Sequence, residues 1–163
     1  MIRNATSYLA TICLLSLVAT LPAAEPKEEK PPTIDDLKKA PTAVTIGEVE
    51  LGVSGMLIRN RMPTIGPIQG TRNYIIIRVK AKDDAALPDG VKFTDVYAIQ
   101  GDTLWKAGKI EGPRGGRPGT VELVVRNAPE FGGAEATELI LQIAAGDGKK
   151  QRLRGAVKSM EVH

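Results

Sequence analysis

Basic side chains at regular spacing are the residues best suited to bind a ligand in this sequence of 163 residues. Lys150, Arg152 and Arg154 occupy every second position, so an extended strand would project all three from one face. Arg114 and Arg117 lie in a segment rich in glycine and proline. A guanidinium group can bind a carboxylate or a sulfate through two parallel hydrogen bonds. We therefore predict that this set of basic residues binds an anion or an acidic partner.

Both patterns also have a purely structural interpretation. A charged row on a strand is typical of a solvent-exposed face or of a protected sheet edge. Arg78, Lys80 and Lys82 form a second such row. The segment 112–119 also fits a long loop that connects two sheets. It lacks the Gly-Lys-Ser/Thr ending and the following helix of a Walker phosphate loop, which excludes that kind of nucleotide site.

Catalytic and metal-binding side chains are scarce in this sequence. The single cysteine is Cys13 and the single histidine is His163, one near each end of the chain. The interior therefore offers no thiol nucleophile, no thiolate metal ligand, no disulfide and no imidazole base. Ser54 and Ser159 are the only serines beyond residue 24, and neither lies in a Gly-x-Ser-x-Gly motif. We predict no catalytic residue, no metal site, no cofactor and no enzymatic activity.

Carboxylates are the remaining candidates for chemistry. Asp83, Asp84 and Asp89 share one segment, and loop carboxylates often bind calcium. Their spacing matches no EF-hand loop, and a solvated turn is favoured. Asp95 is in phase with the apolar residues of its own segment, so a strand would point it towards their face, where a carboxylate needs a partner. An enzyme or enzyme subunit that uses Asp83, Asp89 and Asp95 is the first alternative.

The first 24 residues have the pattern of a signal peptide. Arg3 precedes the apolar run Leu9–Leu21, and Pro22 with two alanines supplies a cleavage site. An uncleaved membrane anchor is the alternative, although the apolar run is shorter than the ~20 residues that span a bilayer. We predict export to the periplasm or the extracellular space, with membrane contact only through the signal peptide. Residues 25–42 are predicted to be a disordered linker rich in proline and charge, in which Thr33 can cap one helical turn.

From residue 43 onwards the hydrophobic pattern has a period of two. Segment 72–82 is the clearest example, because every second residue between 75 and 81 is apolar and faces one side of a predicted strand. Similar segments recur between turns that contain glycine or proline, and none has a helical pattern. We predict an all-β domain of seven or eight strands over 43–163. The apolar segment 54–70 does not read as a strand and is predicted to cover one end of the core, with a partner-binding patch as the alternative.

Two segments of this region resemble known domains. Val96–Trp105 and Leu139–Val162 are similar to the middle and final strands of bacterial immunoglobulin-like and fibronectin type III-like domains. The resemblance is at the level of the superfamily, and it implies a single antiparallel β-sandwich. Domains of this kind serve in adhesion, carbohydrate binding, chaperoning and inhibition, so the resemblance implies a fold and not one function.

A binding role is the function that these observations favour. We predict an exported, non-enzymatic binding or interaction module of the bacterial envelope, whose partner is an envelope protein, an acidic glycan or an anionic surface. Residues 41–163 carry 17 basic and 14 acidic side chains, a net charge of only +3, and aromatic residues do not alternate with the basic ones. A nucleic-acid partner is therefore not expected. A structural envelope protein without a specific ligand is the second alternative.

Overall fold

The computed structural model describes residues 31–61, 72–132 and 135–162. The predicted signal peptide, Cys13, His163 and the part of the apolar segment beyond Arg61 lie outside the described residues, and so does the linker up to residue 30. Within the described ranges, no helix has the length and apolar character needed to cross a membrane.

Nine β-strands make up most of the described chain, and its one α-helix, Ile34–Lys38 (α1), is a single short turn. The strands, in chain order, are β1 (Ala43–Ile46), β2 (Val49–Asn60), β3 (Tyr74–Ala81), β4 (Lys92–Gln100), β5 (Thr103–Lys106), β6 (Ile110–Arg117), β7 (Thr120–Arg126), β8 (Thr137–Ala144) and β9 (Lys150–Val162). The prediction of an all-β domain is confirmed.

All nine strands belong to one continuous sheet. Eight of them follow the order β5-β4-β8-β9-β2-β3-β7-β6, and β1 pairs with the first part of β2. β9 joins the two halves, because its first part pairs antiparallel with β8 and its second part pairs with β2. The β2–β9 pairing is parallel, so the prediction of a purely antiparallel arrangement is wrong at this pair. An alternating sequence determines which face a side chain takes, but it does not encode the direction of the neighbouring strand.

The sheet curls around a single hydrophobic core. Its inner face carries fully buried side chains from both halves, including Ile75 and Ile77 on β3, Leu139 and Leu141 on β8, and Leu153 on β9. The alternation predicted for segment 72–82 is confirmed, since the residues of β3 that point inwards are all buried. The result is one curled mixed sheet, and it is not clearly a sandwich of two sheets.

The curl follows from the order of the strands in the chain. β5 and β6 are the two edges of the sheet, yet residues 107–109 alone connect them. Such a link spans about 15 Å at most, so the two edges must approach one another. The backbone amide of Ala107 donates to the carbonyl of Val96 at 2.9 Å and ties this link to β4.

Helix α1 covers part of the outer face of the sheet. Thr33 caps it as predicted, because its hydroxyl accepts a hydrogen bond from the Asp36 amide at 3.2 Å while the Asp36 carboxylate accepts from Thr33. Leu37 is fully buried, and it packs with Tyr97 and Ile140 in a second, smaller apolar cluster. The folded part of the chain therefore extends into the segment 25–42 that the sequence predicts as a linker.

Parts of two segments that the sequence does not predict as strands are strands. Segment 112–119 is mostly β6, an edge strand whose pairing with β7 shifts register twice. Edge position and irregular register tolerate proline and glycine, which is why the composition misleads. The beginning of segment 54–70 belongs to β2, where Leu57 is buried in the core and Ile58 is buried on the opposite face, so the alternation disappears.

Gly155 lies where β9 passes from β8 to β2. The register between β8 and β9 runs through this residue without a shift. A side chain at this position would overlap the carbonyl oxygen of Val53, and its Cβ would lie 2.8 Å from the Val53 carbonyl carbon. The close approach of β9 to β2 therefore requires glycine.

Replacing Gly155 with alanine should destabilise the fold, because backbone atoms must move to admit the methyl group. We expect Gly155→Ala to lower the free energy of unfolding in urea by about 2 kcal/mol or more. Gly52→Ala is the matched control, since a Cβ there has no neighbour within 4 Å. Equal stability of the two variants would contradict the close approach.

Removing the side chain of Leu37 should show whether α1 is an integral part of the domain. We expect Leu37→Ala to lower the free energy of unfolding by about 3 kcal/mol, the usual cost of emptying a buried leucine site. Lys38→Ala, at the exposed neighbouring position, should change it by less than about 0.5 kcal/mol. A Leu37→Ala protein as stable as the parent would mean that α1 does not pack against the sheet.

Candidate functional site

The outer face of β2, β3, β7 and β6 carries two rows of polar residues. The strand registers define them, and side chains opposite one another in register share a row. The first row contains Ser54, Arg78, Glu122 and Arg114, and the second contains Gly52, Lys80, Thr120 and Arg117. Because alternate residues of the same strands fill the core, the sheet holds these rows at a fixed spacing.

A depression of about 740 Å³ lies over these rows, and we call it the basic cleft. Its charged lining consists of three cations, Arg78, Lys80 and Arg117, and two carboxylates, Asp84 and Glu122. Pro118 and Thr120 complete it. The charged lining residues therefore give the basic cleft a net charge of +1.

Two of the three cations in the basic cleft are paired with acids. Arg78 donates through Nη2 and Nε to Glu122 Oε1, at 2.6 and 3.1 Å. Lys80 Nζ lies 3.3 Å from Asp84 Oδ1. The Arg117 guanidinium has no acidic partner among the described residues. Arg117 is thus the cation of this cleft whose donors are open to an external anion.

The turn after β6 anchors the backbone next to Arg117. Gly119 accepts a hydrogen bond through its carbonyl from the Ala81 amide at 2.7 Å, which ties the turn to the end of β3. It has φ +65, and a Cβ there would come within 2.6 Å of the Asp84 carbonyl carbon. Only glycine fits this contact, so the turns that carry Arg117 and Asp84 are packed together.

Arg114 lies at the border of the basic cleft and not in its lining. It faces Glu122 across the β6–β7 pairing, and its Nη2 lies 3.5 Å from Glu111 Oε2. The structure thus places Arg114 and Arg117 on the same face as Arg78 and Lys80, as neighbours on strands. Lys82, the third member of that row in the sequence, lies in the short turn Lys82–Asp84 after β3 and pairs with Glu50.

The remaining predicted binding residues lie elsewhere. Lys150, Arg152 and Arg154 share one face of β9, as their spacing predicts, but that part of β9 pairs with β8 and not with β3. Arg154 Nη1 lies 3.2 Å from Glu138, and Arg152 Nε lies 3.4 Å from Gln142 Oε1. The predicted set of basic residues therefore does not form one site.

A chain of polar contacts crosses the outer face beside α1. Lys106 Nζ lies 2.7 Å from Asp95 Oδ1, and Asp95 Oδ2 accepts a hydrogen bond from Gln142 Nε2 at 3.0 Å. Arg152 then donates to Gln142, so one row of contacts joins β5, β4, β8 and β9. The hydrogen bond from Lys106 to Asp95 raises the pKa of Lys106 above its ordinary value of 10.5.

The expectation that Asp95 requires a partner is confirmed, and its partners are Lys106 and Gln142. Asp83 lies in the turn Lys82–Asp84, and Asp89 lies in the segment before β4. Across the three described ranges, no group of three or more histidine, cysteine, aspartate or glutamate side chains is arranged to hold a metal ion.

The sequence indicated most of the cationic residues of the basic cleft, but it did not predict that they lie together in one site. The pairing of β3 with β7 and β6 brings Lys80 beside Arg117, and nothing local in the sequence encodes that pairing. Glu122 and Thr120 were missed as site residues. Their signal was the alternation of segment 120–127, which places both on the face opposite to Leu123.

Removing the negative charge of Asp95 should lower the pKa of Lys106. We expect Asp95→Asn to move the Lys106 pKa down towards 10.5, as measured by NMR titration of its side chain. Because the folded-state pKa is raised, the pair stabilises the fold fully below pH 10.5 and loses this contribution as the pH rises. The parent should therefore lose more stability than Asp95→Asn in alkaline solution. Glu138→Gln, which removes the partner of Arg154, is the control and should leave the Lys106 pKa in place.

Comparison with protein-family models, with curated proteins and with solved structures finds no match to this chain.

Proposed function

We propose that this protein is a non-enzymatic binding module that holds a carboxylate- or sulfate-bearing partner in the basic cleft. We propose further that it is exported to the bacterial envelope, on the strength of the signal-like pattern in residues 1–24. We also propose that its curled sheet is a variant of the immunoglobulin-like sandwich. The long strand β9, which links both halves of the sheet, supports this relation.

The position of Arg117 is the observation that carries the binding role. Its guanidinium group is exposed beside Lys80 and has no acidic partner among the described residues. The acids of the cleft are engaged by Arg78 and Lys80, which leaves an incoming anion free to pair with Arg117. A planar guanidinium suits the two oxygens of a carboxylate or the face of a sulfate.

The geometry favours a partner that makes several weak contacts. Exposed ion pairs contribute about 1 kcal/mol or less, and salt screens them strongly. A single anion in an open cleft would therefore bind weakly, whereas a chain of acidic groups could engage Arg117, Lys80 and Arg114 in succession. An acidic segment of an envelope protein and an acidic glycan both present such a chain.

Binding of two defined polyanions tests this role. Hexaglutamate represents an acidic protein segment, and a heparin-derived hexasaccharide represents an acidic glycan. We expect at least one of them to bind the full chain at low salt in isothermal titration calorimetry. Arg117→Gln should weaken that binding about fivefold, corresponding to the loss of about 1 kcal/mol.

Lys149→Gln is the control matched in charge. Lys149 is exposed in the turn between β8 and β9, next to Asp147, and its loss changes the net charge by the same amount. Equal weakening by Arg117→Gln and Lys149→Gln would mean that binding follows net charge and not the basic cleft. The absence of binding of both polyanions at low salt would overturn the proposal.

A further inference from the structure

A second depression lies at the other end of β6 and β7. It has a volume of about 400 Å³, and we call it the tryptophan pocket. Its lining consists of Trp105, Gly108, Lys109, Glu111, Arg126 and Asn127. None of these residues lines the basic cleft. The pocket is therefore a separate site from the basic cleft.

Trp105 forms one wall of this pocket. It lies on β5 opposite Ala98, a fully buried residue of the core, and its half-buried side chain packs against the core cluster. Trp105 thus packs against the core at the edge of the sheet and also lines the pocket. A rigid aromatic side chain loses little conformational freedom when a ligand packs on it, and it presents a broad apolar surface.

Side chains with planar polar groups line the same pocket as Trp105. Arg126 donates to Glu111 through Nε at 2.7 Å and through Nη2 at 3.3 Å, a two-point pairing that orients both side chains. This pairing lowers the pKa of Glu111 and raises the pKa of Arg126, so both stay charged near neutral pH. Asn127 has φ 58, and the bond from the Ala128 amide to the Asn73 carbonyl at 3.0 Å holds the chain directly after it.

We propose that the tryptophan pocket binds one hexuronic acid ring of a glycan. A pyranose ring has a face of C–H groups that can lie on an indole, and a rim of hydroxyl groups that suits planar donors and acceptors such as Arg126, Glu111 and Asn127. Lys109 and Arg126 against Glu111 leave one net positive charge, which favours a ring that carries a carboxylate over a neutral ring. The pocket volume lies within the range typical of small-ligand sites.

The chain provides its own reporter for this site, because Trp105 is its only tryptophan. Fluorescence of the full chain is titrated with trigalacturonate, and neutral maltotriose serves as the comparison sugar. We expect a saturable change in Trp105 emission with trigalacturonate and a dissociation constant about tenfold higher, or no saturation, with maltotriose. Lys109→Gln should raise the trigalacturonate dissociation constant about fivefold while the fluorescence of the free protein stays unchanged.

Two further variants distinguish binding in the tryptophan pocket from binding in the basic cleft. Arg117→Gln, in the basic cleft, should leave the fluorescence titration unchanged even where it weakens polyanion binding. Trp105→Phe keeps an aromatic ring at the core edge, and calorimetry should show weaker trigalacturonate binding than in the parent. No saturable change in emission at about 10 mM trigalacturonate, or equal affinity for both sugars, would overturn the proposal. A Lys109→Gln protein that binds as tightly as the parent would overturn it as well, even if Trp105→Phe fails to fold.

Discussion

The close approach of β9 to β2 at Gly155 is the constraint on which the architecture depends. β9 must leave β8 and continue beside β2, and it can do so only because no side chain stands between Gly155 and the Val53 carbonyl. The pairing of β9 with β8 and then with β2 joins the two halves of the sheet into one surface. The inner face can then close on a single core, while a link of three residues connects the edge strands β5 and β6.

The same architecture determines where ligands can bind. The inner face is filled with aliphatic side chains, so chemistry is confined to the outer face and to the edges. On one half of the sheet the outer face is covered by α1 and crossed by the Lys106–Asp95–Gln142 contacts. On the other half it carries the basic cleft. The basic residues therefore fall into two groups. Those on the half covered by α1 make structural contacts, whereas those of the basic cleft include Arg117, whose guanidinium group has no acidic partner among the described residues.

Local patterns in the sequence predicted most of the strands, the inner face of β3, the cap of α1 at Thr33 and the need of Asp95 for a partner. The remaining features of the fold and of the site depend on which strands pair with one another. Local patterns in the sequence do not encode that pairing. The grouping of Arg117 with Lys80, the parallel β2–β9 pairing and the edge strand β6 all belong to this class. The composition of segment 112–119 indicated a loop because glycine and proline disfavour strands in general, although an edge position tolerates them.

Mapping of backbone amide shifts tests the central claim that the basic cleft is the anion-binding surface. ¹H–¹⁵N NMR spectra of the labelled full chain are recorded during addition of hexaglutamate at low salt. If the anion binds in the basic cleft, the largest saturable shifts should fall on the amides of Lys80, Arg117 and Thr120. These residues lie on adjoining strands of one face. Largest shifts at Lys150, Arg152 and Arg154 on β9, with the cleft unaffected, would contradict the claim.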